Sequence, residues 1–195
     1  MFELATRSLL WDNRDLDRPG VLSFDPSGDR LAVECRQEMQ IWDWRVRRII
    51  SRLQKNFGAV SLTRWQPDGA SLIMGCADRM IRVWDLWRNQ VGTLSGHTRE
   101  VVGLIPHPHQ PLLVSHAWDN TLRVWDTSSG NVLLQASGMI PLCFDTEGRR
   151  LAVWKRGRGI GLLNVVGSDS YRTLGATPGL PTRFNTNDFN RSSTV

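Results

Sequence analysis

Lysine is nearly absent from this chain: of 24 basic residues, only Lys55 and Lys155 are lysines. The net charge of +5 and the isoelectric point near 9.8 therefore rest on arginine. Those arginines are scattered, and the densest groups, 45–48 (RVRR) and 155–158 (KRGR), fall in loop or edge positions. Scatter of this kind reads as a solvated basic surface, so nucleic acid is disfavoured as a partner. Cysteine is also scarce. Cys35, Cys76 and Cys143 are odd in number and too far apart for a zinc spacing, so they read as buried thiols in strands, in a reducing, cytoplasmic compartment. No stretch approaches the roughly 20 apolar residues of a membrane helix. The first ten residues carry Glu3 and lack the order of a secretory signal. No segment shows a capped 3.6-residue periodicity, which leaves little room for helix.

What the chain does have is a repeat. Three Trp-Asp pairs, Trp42-Asp43, Trp84-Asp85 and Trp125-Asp126, stand 42 and 41 residues apart, each closing a short alternating run. A period of about 40 to 45 residues carrying strands marks a radial array of sheets. Sliding the second unit onto the third by 41 positions needs no gap from Phe57 to Asp85; Pro67 falls on Pro108, Asp78 on Asp119 and Ile81 on Leu122. A decayed fourth copy follows, where CFDTEGRRLAVW (143–154) repeats the shape of SFDPSGDRLAVE (23–34) and Leu163-Asn164 replaces Trp-Asp.

Each unit reads as four short antiparallel strands. In the second, AVSLTRW (59–65) alternates and meets the turn Pro67-Asp68-Gly69, whose proline and glycine preset its dihedrals. SLIMGC (71–76) follows as the most apolar and hence most buried strand, then MIRVWD (80–85) and QVGTLS (90–95). One such sheet exposes apolar surface on both faces, and stacking sheets around an axis buries it.

These residues resemble the WD-repeat β-propeller family over about residues 2–175. The fold expected is all-β: about four four-stranded antiparallel WD-type blades, an incomplete ring. The blades fall at about 17–54, 55–95, 96–136 and 137–175, with 1–16 ending a preceding blade, SYRTL (170–174) as the fourth unit's outer strand and 176–195 as a flexible tail. In units of this style the chain is also similar to a piece of the propeller region of bacterial multidomain proteins that join a kinase to a long propeller, although it carries no kinase motif. The resemblance further implies a structural hydrogen-bond network, His97 with Ser115, Asp119 and Trp125. Such a network gives each buried polar group a partner. The second unit has Asn56 and Met74 at the histidine and serine positions, and the first lacks the aspartate, so those blades are expected to rely on packing.

A Ser-His-Asp triad is the competing reading of the same residues. Ser115 would sit on a buried strand with no strand-to-helix elbow and no oxyanion-hole glycines, which argues against it. His107-Pro108-His109 reads as a turn variant because no third metal ligand is near in sequence. The glycine-rich run 157–161 lacks the strand–loop–helix context of a phosphate cradle. Catalytic residues, metal and cofactor are therefore all expected to be absent. The function expected is a non-catalytic protein–protein interaction scaffold that binds through one propeller face. Trp118, Arg99 and Glu100 are the candidate contacts, since exposed aromatics and arginines make hot spots; Trp118 packed against a neighbouring blade is the other reading. Open blade edges suggest self-association. The alternatives are a truncated remnant of a larger propeller or a propeller-based enzyme.

Overall fold

The computed structural model describes residues 16–155 and 157–165, together with the backbone of two short paired strands, β1 (Phe2–Glu3) and β2 (Ser8–Leu9). The expectations for 170–174 and for the tail at 176–195 lie outside the described residues. Every element among the described residues is a strand. The first sheet holds β3 (Leu22–Phe24), β4 (Arg30–Glu34), β5 (Glu38–Asp43) and β6 (Arg48–Gln54). The second holds β7 (Val60–Trp65), β8 (Ser71–Cys76), β9 (Ile81–Asp85) and β10 (Gln90–Leu94). The third holds β11 (Val101–Pro106), β12 (Leu112–Ala117), β13 (Thr121–Asp126) and β14 (Val132–Ser137). The fourth has three described strands, β15 (Met139–Phe144), β16 (Arg150–Lys155) and β17 (Gly159–Asn164). All pair antiparallel in sequence order. These are sheets of the kind a β-propeller stacks as blades.

Turn chemistry sets each hairpin. Gly28, Gly69 and Gly148 hold φ of 75°, 67° and 71° in the turn between the first and second strands of their sheets, where a residue with a Cβ is strained. The second strands β4, β8 and β12 are buried almost throughout. Between the first and second sheets lie Ala32, Met39 and Ile41 against Trp65, Leu72, Met74 and Trp84. Ile73, Ile81 and Leu62 meet Leu104, Leu113 and Trp125 between the second and third. Val114, Leu122 and Val124 meet Leu151 and Val153 between the third and fourth. A fully buried leucine or isoleucine contributes about 2 kcal/mol, so these interfaces hold the blades in series.

The far face of the fourth sheet is open. Ile160 is 75 % and Leu162 62 % exposed, and Leu142 and Trp154 are exposed beside them. This face also corrects the reading of the cysteines. Cys35 and Cys76 are buried, but Cys143 is exposed, and Cys35 lies just past β4 rather than in it. A bulge between Pro141 and Cys143 turns Cys143 outward opposite Ala152, away from the third sheet.

Candidate functional site

Antiparallel order puts two kinds of loop at one end of every blade: the turn joining second and third strands, and the loop entering the first strand. In the third blade they are tied together, since the Trp118 amide donates to the Glu100 carbonyl at 3.0 Å. Behind that tie sits the relay. Trp125 Nε1 donates to Ser115 Oγ at 2.8 Å, Ser115 Oγ lies 2.7 Å from His97 Nε2, and His97 Nδ1 lies 2.9 Å from Asp119 Oδ2. Asp119 also accepts from the Thr98 and Thr121 amides and from the Thr121 hydroxyl.

Burial lowers the His97 pKa despite Asp119 beside it, so the imidazole is neutral near pH 7. Nδ1–H then donates to the carboxylate, and Nε2 accepts from the serine hydroxyl. Burial alone would raise the Asp119 pKa, but the bonds from Thr121, Thr98 and His97 outweigh it and hold the carboxyl well below its usual range. Ser115 is fully buried and its oxygen is already engaged by Trp125 and His97, so the atoms of a triad are present without access for a substrate.

The first and second blades do not leave their tryptophans to packing alone, contrary to the sequence reading. Trp84 Nε1 donates to Asn89 Oδ1 at 3.0 Å, and Asp78 is clamped by Arg82 through two bonds of 3.0 and 2.7 Å. Trp42 Nε1 donates to Gln40 Oε1 at 2.7 Å, and Gln40 passes a bond to Glu38. Glu38 also accepts from Arg52 and Gln54. Asn89 and Gln40 lie outside the aligned histidine and serine positions. The Trp-Asp aspartates have a separate task. Asp43, Asp85 and Asp126 each accept two backbone amides from the turn that follows, fixing the path into the outer strand.

Of the candidate contacts, Trp118 is 66 % exposed in the turn beside Asp119, so it does not pack into the neighbouring blade. Arg99 is exposed, and Glu100 is half-buried and accepts a bond from the Ser61 hydroxyl. Trp87, which was not among the candidate contacts, is 88 % exposed at the opposite end, in the turn between β9 and β10.

Residues 49–85 and 88–126 match the family described as WD domain, G-beta repeat. The chain is a member of the WD-repeat family. It is 26% identical over 155 residues to Protein Rae1 of Drosophila melanogaster, covering 74% of this chain and 44% of that protein. It is 30% identical over 157 residues to the Set1 complex component swd2 of Schizosaccharomyces pombe, covering 76% and 44%. To guanine nucleotide-binding protein subunit beta-5b of Danio rerio it is 33% identical over 113 residues, covering 53% and 27%. The chain thus spans less than half the length of each of these relatives.

Each matched WD repeat is offset from the sheets. It begins at an outer strand, β6 or β10, and closes on the third strand of the next sheet, so one repeat in sequence straddles two blades in space. Side-chain links add to this. Arg30 reaches from the first blade to the Gly69 carbonyl of the second at 2.7 Å. His107 Nε2 reaches from the third to the Gly148 carbonyl of the fourth at 2.9 Å. His107 Nδ1 accepts from the amides of His109 and Gln110, so the His-Pro-His turn is an inter-blade latch. Among the described residues no helix is long and apolar enough to cross a membrane.

Proposed function

We propose that this WD-repeat chain is a non-catalytic, cytoplasmic scaffold whose protein partner docks on the blade end that carries Trp118, Arg99 and Glu100. The observation that carries this reading is the exposure of Trp118 in a turn anchored at Asp119, because a large aromatic held in place contributes contact area at little entropic cost. Relatives described as a Set1 complex component and a guanine nucleotide-binding protein subunit are, by those descriptions, parts of assemblies, which supports a partner-binding role here. In the same reading the blades run about 17–54, 55–95, 96–136 and 137–175, and His97, Ser115, Asp119 and Trp125 are structural. The test is a photo-crosslinking residue placed at position 118 or at 87 in cells that make the protein. A discrete protein adduct from 118 and none from 87 is expected; adducts from 87 alone, or from neither position, would overturn the proposal.

A second reading rests on the open apolar face of the fourth blade, with Ile160, Leu162, Leu142 and Trp154: copies of the chain associate through it. Light scattering behind a sizing column checks this, a discrete oligomer supporting it and a monomer at all concentrations removing it.

A further inference from the structure

We infer that the blade end carrying Trp118 recognises a carboxylate-rich segment of a protein partner through a set of uncommitted arginines; the inference rests on the docking face proposed above. The arginines scattered in sequence are gathered by the repeat. Arg18 lies in the loop entering the first blade, and Arg36 and Arg79 lie in the turns between second and third strands of the first and second blades. Arg99 lies in the loop entering the third blade, and Arg158 in the corresponding turn of the fourth. Strand alternation places all five at the same end as Trp118, and all five are exposed. Among the described residues none of their side chains has a hydrogen bond, ion pair or ring contact.

Among the described residues the carboxylates at this end are mostly occupied. Glu34 holds Lys55 at 2.6 Å, Glu38 holds Arg52 at 3.0 Å, Asp78 is clamped by Arg82, Asp119 holds His97 and Glu100 accepts from Ser61. Among those described, Asp17 is the exposed exception. Among the described residues the end therefore presents free guanidinium groups around one exposed indole.

Backbone geometry supports a binding role. Arg79 and Arg18 hold φ of 74° and 48°, the left-handed region in which any side chain with a Cβ costs about 1 kcal/mol. The third blade fills the position of Arg79 with Asn120 (φ 61°), a residue better suited to it. Arg47 shares this geometry at the opposite end, but it is engaged within the chain. Strain retained at unpaired, exposed arginines marks a site used for something other than stability. Guanidinium forks match carboxylates bidentately, as Arg82 on Asp78 shows within this chain. One arginine or two per blade around Trp118, the exposed aromatic among the described residues at this end, suits an acidic peptide better than single-stranded RNA, which needs a continuous basic groove with several stacking rings.

The test is fluorescence anisotropy with labelled deca-glutamate and, separately, a ten-nucleotide single-stranded RNA, each at two salt concentrations. Saturable, salt-weakened peptide binding is expected, reduced at least about fivefold in Arg36→Ala/Arg99→Ala. Arg45→Ala/Arg48→Ala, which removes equal charge from the opposite end, should leave it within about twofold. Arg79→Asn should weaken binding without lowering the melting temperature, an outcome a structural role could not give. Equal losses from the two double variants, tighter binding of the RNA, or no saturable peptide binding would overturn the inference. A crosslink from position 118 that persists undiminished in Arg36→Ala/Arg99→Ala would refute the acidic chemistry yet keep the face, whereas absence of that crosslink removes the face itself.

Discussion

The second and third blades bury the same tryptophan in the same place and satisfy it differently. Trp84 and Trp125 are both essentially inaccessible to solvent, and each has an indole N–H that water cannot reach. In the third blade the N–H enters a relay through Ser115 and His97 that ends on Asp119, in the turn bearing Trp118. In the second it stops at Asn89, in the turn at the opposite end of the sheet. Physics fixes the demand, one partner per buried donor, and leaves the source of the acceptor open. The choice has a consequence. The relay couples the third blade's core to its Trp118 turn, whereas Asp78 in the second blade is held by Arg82 and the Met80 amide.

The largest break in this comparison comes from Ser115→Val, which strands both Trp125 Nε1 and His97 Nε2. A loss of about 2–4 kcal/mol is expected, read from the denaturation midpoint. Gly148→Ala comes next. A Cβ there would meet the His107 ring at 2.2 Å with φ at +71°, while at Gly28, with a similar φ of +75°, it would meet nothing within 4 Å. The first should cost about 2–3 kcal/mol and the second about 1, separating the latch from backbone strain in the same assay. Asn89→Gly keeps the left-handed backbone and deletes the acceptor of Trp84, with a loss of about 1 kcal/mol, smaller than that of Ser115→Val. If the two losses were equal, the relay would add nothing beyond one hydrogen bond.

The mildest effect is on pH dependence. Burial lowers the pKa of His97, His107 and His116 below the ordinary value of 6.5. The unfolded chain therefore binds protons first as pH falls, and stability, full above that value, declines below it. Melting temperature should drop between pH 7 and pH 5, and His97→Asn, which gives the third blade the second's Asn56, should make the slope shallower.

Much of this was legible in the sequence. The Trp-Asp spacing, the gapless 41-residue match and the proline–glycine turns dictated strand order, because each reports a backbone requirement that recurs in every blade. The residues of the relay were readable as types at family positions. The acceptors Asn89 and Gln40 were not, since nothing in an alignment of units marks a substitute that reaches the same indole from another strand position or turn. Asking which amide side chain lies two before or five after each tryptophan would have found them. The exposure of Cys143 was hidden as well, because the bulge at Pro141 shifts the inward–outward alternation by one residue. Nor does a linear count of arginines reveal that strand alternation brings five unpaired ones, among the described residues, to one end.

The claim that the relay anchors the turn presenting Trp118 is tested most directly by hydrogen exchange at the Thr98 and Thr121 amides, which donate to Asp119, against the Met80 amide, which donates to Asp78. In the unaltered chain all three should be protected. In Ser115→Val, Thr98 and Thr121 should lose protection while Met80 keeps it. Unchanged exchange at Thr98 and Thr121 in that variant would contradict the account, because the turn would then be held without the core behind it.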